Sequence, residues 1–291
     1  MHVHGNNIEQ KEVGLDKYSD KKSKEYLAEI RAAYEVWSAE NLKLIGPHHE
    51  VHSDDAAIVS ERVRLLNEYK DFLDQQHYAE HFDSRSNLHS SVMEEFIFYL
   101  FRDLINGISQ DALIGKSHSF KDIFFRPGNF AEMVVTARPF VEKKDHDFAI
   151  GVKLNVTMQV EGQPNDTAIH DQWHLPAVAI ECKTYLDKTM LQDVSTAAEQ
   201  LQHKNPNSIY IVVAEWLKLT ESVNLKKYKI DQVYILRKQK NTDREFRYSE
   251  NYIKNPIYED VVFNLFQLVR DHLTSDWSGS IADGLSKGVL I

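Results

Sequence analysis

The chain has 291 residues, 42% of them hydrophobic and 27% charged, the make-up of an ordinary globular protein long enough for a sizeable core. No apolar run approaches the roughly 18 residues needed to span a bilayer, so no membrane partner is expected. The only cysteine, Cys182, rules out an intrachain disulfide and a cysteine-rich zinc site. With an N-terminus, "MHVHGNNIEQKEVG", lacking a secretory apolar segment, a reducing cytoplasm is expected. The net charge of −10 argues against a nonspecific polyanion binder. The charge is uneven, however: residues 1–80 carry 10 basic and 16 acidic side chains, whereas 112–144 carry 6 and 3 and 181–254 carry 13 and 10. A local nucleic-acid groove is compatible with that distribution.

The first 80 residues read as helical. In "EYLAEIRAAYEVW", Leu27, Ile30, Tyr34 and Trp37 recur on one helix face, and Val59, Val63, Leu66 and Leu73 do the same in "AIVSERVRLLNEYKDFL". Between them "GPHHEVHSDD" reads as a loop entering an N-cap near Ser53 or Asp54, which makes a helical hairpin. Such a hairpin packs against the main domain or forms a dimer contact. A third helix is expected in "SNLHSSVMEEFIFYLFRDLI". Strand-like runs follow in "KDIFF", "AEMVVTARPFV", "DFAIGVKLNVTMQV" and "AVAIECK". "TMLQDVSTAAEQLQHK" reads as helix, "SIYIVVAEWL" and "DQVYILRK" as strands, and "VVFNLFQLVRDHL" as a closing helix. The order indicates an α/β fold, a mixed central sheet flanked by helices with an N-terminal helical hairpin. The expected organisation is a helical region at 1–82, a core at 83–275 and a tail at 276–291.

One strand carries charges it should not. In "PAVAIECK", Val178, Ile180 and Cys182 share an apolar face, so Glu181 and Lys183 share the other. The acid-x-lysine triplet occurs five times in the chain, but only this copy sits in an apolar strand. "DFAIGVKLNV" repeats the design: Phe148, Ile150, Val152, Leu154 and Val156 form one face, and Asp147 lies opposite, above Ala149 and Gly151, small residues that would leave open space beside it. If the two strands are neighbours, Asp147 and Glu181 meet near Lys183. Two adjacent carboxylates repel unless a cation or proton lies between them, and oxygen donors suit Mg²⁺. The alternative is an edge-strand ion pair worth under about 1 kcal/mol.

The arrangement Asp147…Glu181-x-Lys183 resembles the PD-(D/E)XK nuclease superfamily. The phrases "LHSSVMEEFIFYLF", "DHDFAIG", "VAIECKTYLDKTML" and "NPNSIYIVVAE" resemble, more closely, the Bpu10I family of type II restriction endonucleases, over roughly residues 85–240. The resemblance implies a restriction-endonuclease-like core and Mg²⁺-dependent cleavage of double-stranded DNA at a short sequence. It also implies a homodimer or a heterodimer with a related subunit, and a DNA methyltransferase as companion. It makes Asp147 and Glu181 metal ligands and Lys183 the catalytic lysine. His146 stands where the superfamily motif has proline, and 34 residues separate Asp147 from Glu181. Asp145 is therefore the substitute for the first acid. Members often add an acid from the preceding helix; Glu94, on the flank of the buried face, is the candidate catalytic and metal-binding acid, and Glu95 falls near the opposite side with Arg102.

The alternatives within the superfamily are a repair nickase, a junction resolvase, or a DNA-binding protein that has lost activity. Cys182 reads as a small core residue. His48, His49 and His52 read as loop histidines, and His170 and His174 in "HDQWH" as part of a polar loop or hairpin. Lys226, Lys227, Lys229, Arg237, Lys238 and Lys240 are candidates for phosphate contact. No P-loop motif is present.

Overall fold

In a computed structural model, residues 2–14, 17–82, 86–220, 222–240, 249, 251–278, 285–286 and 288 are described. The chain opens with α1 (Val3–Val13), α2 (Lys21–Lys43), α3 (Asp55–Leu73) and the short α4 (Gln76–His81). Helix α5 (Leu88–Ile108) leads into β1 (Leu113–Phe125), the short α6 (Phe130–Val135), β2 (Pro139–Met158) and β3 (Ile169–Leu186). Then come α7 (Lys188–Lys204), β4 (Ile209–Leu217), β5 (Gln232–Ile235) and α8 (Glu259–Thr274). Much of the expected 276–291 tail lies outside the described residues.

The five strands form one mixed sheet in the order β1-β2-β3-β4-β5. The first three are antiparallel, and β3, β4 and β5 run parallel, with α7 as the crossover between β3 and β4. Alternation along the strands loads both faces. Phe148, Ile150, Val178, Ile180, Ile211 and Val213 enter one core together with the apolar faces of α2, α3, α5 and α8. Ala179, Tyr210, Val212 and Ala214 face the other way and pack against Leu191, Val194, Ala198 and Leu201 of α7. No helix among the described residues is long and apolar enough to cross a membrane.

The N-terminal hairpin is α2 and α3, entered near Asp54 as the spacing indicates, and its apolar residues share one core with α5 and α8. Several elements differ from the expectation. The polar opening segment forms α1, held by burial of His4, Gly5 and Ile8 on α5 and by hydrogen bonds to Glu95 instead of by an apolar stripe. "AEMVV" is α6, started by the Asn129 side chain accepting from the Glu132 amide, and it lies outside the sheet with no buried residue. Of the loop and the hairpin left open for "HDQWH", the structure has the hairpin: β2 and β3 are one long antiparallel pair whose pairing runs to Met158↔Ile169. Gly151 does not leave open space: a Cβ there would lie 2.2 Å from the Leu175 carbonyl oxygen, at the register shift where β3 presses on β2.

Candidate active site

The last pair in the β2–β3 ladder towards the site is Phe148↔Ile180, and there the strands part. The Asp147 carboxylate fills the gap: its Oδ2 accepts the Cys182 amide at 3.0 Å and the Lys183 ammonium at 2.9 Å. Lys183 Nζ also donates to Glu181 Oε2 at 2.8 Å. Both carboxylates therefore meet at one ammonium. Along the β1–β2 edge, β1 advances from Gly115 to Ser117 while β2 runs from Ala149 to His146, one residue more. This bulge lies at the residues that carry the acid, a place where extra residues re-aim side chains.

The other oxygen of Glu181 is held from β4. Tyr210 donates its hydroxyl to Oε1 at 2.9 Å, and His146 Nδ1 lies 3.6 Å from the same oxygen. Burial would raise the pKa of Glu181, but His146, Lys183 and Tyr210 together hold it well below the usual carboxylate range. Asp147 moves the other way: burial and the Glu181 charge raise its pKa, against the pull of Lys183 and the Cys182 amide. Of the two acids, Asp147 takes a proton first. Burial lowers the Lys183 pKa, but Asp147 and Glu181 more than reverse it, so the ammonium stays charged.

Glu94 approaches from α5. Burial and repulsion from Asp147 push its pKa up to about 7, and its Oε2 is buried without a hydrogen bond, 3.2 Å from the Lys116 ammonium. Glu95 does not face solvent beside Arg102. It is fully buried, because α1 and α2 cover that side of α5. Its carboxylate accepts from the His4 and Gly5 amides and from the Tyr34 and Tyr99 hydroxyls. Asp145, the substitute first acid, is exposed and paired with His118 at 2.5 Å, away from Lys183.

The donors fit a hard divalent cation. All are carboxylate oxygens, one of them buried with only the Lys116 ammonium beside it, and burial first, then a neighbouring carboxylate, raises the pKa of two of the three acids. A cleft of about 310 Å³ opens on Glu181 and Lys183, lined also by Lys144, Asp193 and Tyr210. A second grouping, His48, His52 and Asp54, has donor atoms within 4.8 Å of one another in the exposed α2–α3 loop.

Of the basic residues at the far end of the sheet, Arg237 is fully buried. It donates to Glu215 at 3.2 Å and to the Asn255 carbonyl at 2.6 Å, so it cannot reach a phosphate. Lys226, Lys227 and Lys229 are exposed, and Lys238 pairs with Asp260. The part of Tyr210 in the site was not legible beforehand. It reads as one more apolar residue of "SIYIVVAEWL", and only the parallel register, which places Val212 beside Glu181, brings its ring beneath the carboxylate.

No curated protein matches the sequence. The fold is similar to a chain of the "native BbvCI A2B2 tetramer at low resolution", with a TM-score of 0.68, 18% identity, and 94% of this chain and 96% of that chain covered. The family model described as Bpu10I restriction endonuclease matches residues 85–289, a span that begins just before α5 and contains Glu94, Asp147, Glu181 and Lys183. The chain belongs to the Bpu10I restriction endonuclease family.

Proposed function

We propose that the chain is a type II restriction endonuclease, or one subunit of a two-chain enzyme, that hydrolyses phosphodiesters of double-stranded DNA at a short specific sequence with Mg²⁺. The observation that carries this reading is the convergence of Asp147 and Glu181 on the Lys183 ammonium, at 2.9 and 2.8 Å. Asp147, Glu181 and Glu94 would hold the cation. When bound, it supplies Lewis-acid polarisation of the scissile phosphate and lowers the pKa of water.

The protein's own groups do the rest. The Cys182 amide fixes Asp147 where the strands part, so the carboxylate is placed before DNA arrives. Lys183 keeps its proton, and its ammonium orients the attacking water and offsets the charge that builds on the pentavalent phosphate. Glu94, with a pKa of about 7, gives up its proton readily once a positive charge is nearby.

A chain with one such constellation cuts one strand at a time, so double-strand cleavage calls for two centres. The A2B2 assembly of the structurally similar BbvCI chain supports a reading in which this chain acts beside a second copy or a related subunit. A companion DNA methyltransferase would protect host sites. The test is digestion of plasmid and phage DNA by the purified chain, alone and with any related subunit, in Mg²⁺. Discrete fragments at fixed positions are expected. Nicks that follow DNA structure and ignore sequence would instead indicate a repair nuclease, and the absence of both cleavage and Mg²⁺-dependent DNA affinity would remove the nuclease reading.

A further inference from the structure

Behind Glu181 the structure holds a chain of buried polar groups that the hydrolytic roles above do not use. Tyr210 Oη lies 2.9 Å from Glu181 Oε1 and 3.2 Å from His146 Nδ1, and His146 Nε2 lies 2.7 Å from Ser119 Oγ. Ser119 Oγ also reaches the Lys144 carbonyl at 3.2 Å. The four side chains come from four strands, β4, β3, β2 and β1. Tyr210, His146 and Ser119 are at most 3% exposed.

We propose that Tyr210, His146 and Ser119 are positioning residues that set the rotamer of Glu181 and thereby the affinity of the site for a divalent cation. The inference rests on the reading of Glu181 as a metal ligand. Hydrogen-bond directions follow from the inventory of donors. An ionised carboxylate only accepts, so Tyr210 donates to Glu181 and its single proton is committed. The contact with His146 is then a donation from Nδ1–H to the Tyr210 oxygen, and on its far side Nε2 meets the Ser119 hydroxyl, which also donates to the Lys144 carbonyl. The contacts link β1 to the carboxylate without a break. In their absence only the Lys183 ammonium on Oε2 restrains the three side-chain torsions of Glu181; with them, Oε1 is tied to β4 as well. Partners of this kind behind metal-binding side chains change metal affinity or activity about 10–100-fold when removed.

His146 has a specific part in this. It occupies the position where the superfamily motif has proline, and proline could supply neither ring nitrogen. The bulge in β2 turns His146 towards β4, so its ring reaches Tyr210 while the next residue, Asp147, reaches Lys183.

The experiment is titration of the purified full-length chain with Mn²⁺ alone, by calorimetry, with thermal unfolding as a control. Tyr210→Phe is expected to weaken Mn²⁺ binding about tenfold with little change in unfolding temperature. Ser119→Ala is expected to weaken it less, and Ser119→Thr, which keeps the hydroxyl, to restore it. Adding His146→Gln to Tyr210→Phe should cost less than the sum of the two single losses, because His146 acts on Glu181 largely through Tyr210. If Tyr210→Phe does not fold, His146→Gln and Ser119→Ala alone carry the measurement, the first with about the same loss and the second with a smaller one. Unchanged Mn²⁺ affinity in these variants, alongside its loss in Glu181→Gln, would overturn the positioning role and leave the metal site standing. Wild-type Mn²⁺ affinity in Glu181→Gln would overturn both.

Discussion

Glu94 and Glu95 are consecutive on α5 and serve unrelated surroundings: the first is repelled by Asp147, and the second is wrapped by α1 and α2, where it accepts the His4 amide at 2.8 Å. Glu95 caps the start of α1, whose first amides have no partner within the helix. Glu95→Ala should therefore cost about 2–4 kcal/mol of stability by leaving buried amides and hydroxyls unpaired. Glu94→Gln should leave the urea midpoint unchanged or raised, since it removes a repelled buried charge, and should weaken divalent-metal binding. Denaturation and metal titration of both variants separate the two roles, and equal destabilisation would contradict them.

Lys183→Ala and Asp147→Asn are expected to lower Mg²⁺-dependent cleavage at least about 10³-fold while leaving DNA binding in Ca²⁺ largely intact, because each removes a group from the reacting centre. Plasmid cleavage in Mg²⁺ beside a binding assay in Ca²⁺ makes the distinction. Normal cutting by both variants would strip these residues of the proposed roles.

Two buried histidines should weaken the fold in acid, against the opposite contribution of Glu94, which in the folded chain takes up its proton near pH 7. His4 is fully buried between Ser91 and Tyr69, at 2.8 and 2.6 Å, and burial followed by the Lys70 charge holds its pKa well below the ordinary value. His89 is lowered as well, by burial, against the pull of Asp74. The unfolded chain thus takes up protons near pH 6.5 that the folded chain refuses. This contribution to stability is complete above that pH and is lost as the pH falls, by up to about 1.4 kcal/mol per pH unit for each histidine. With the opposing Glu94 removed by Glu94→Gln, urea midpoints at pH 7.5 and 5.5 should differ accordingly, and adding His4→Asn should flatten part of the slope. A midpoint independent of pH over that range would rule this out.

Arg237 should behave as a core residue. It joins Glu215, which also receives Lys70 at 2.9 Å, in a buried ionic group that ties α3 to the ends of β4 and β5. Removing one member leaves an uncompensated buried charge, so Arg237→Ala should cost about 3–5 kcal/mol. The salt dependence of DNA binding should not change in a folded variant at this position. Lys226→Ala with Lys227→Ala, on an exposed turn, should show the reverse pattern if that turn meets phosphate.

How far the sequence could be read depended on the range of each interaction. Asp147, Glu181 and Lys183 stood out because charges in strands that otherwise alternate towards a core need an explanation within a few residues. The helices α2, α3, α5, α7 and α8 were visible for the same reason, an apolar face that repeats locally. Helix α1 was not: its stripe is weak, and what holds it is the carboxylate of Glu95, 91 residues from His4. "AEMVV" misled because β-branched residues suit a strand, yet α6 caps an exposed turn that never reaches the sheet.

Local pattern by itself determined the apolar cores of the strands, the mixed α/β class, and which acids and which lysine needed a partner. Tertiary structure alone decided that Asp147 and not Asp145 reaches Lys183, that Glu95 belongs to the fold while Glu94 faces Asp147, and that Tyr210 stands behind Glu181. The physical reason is register. A one-residue bulge in β2 and the parallel pairing of β3 with β4 choose which side chains share a site, and neither leaves a trace in residue type.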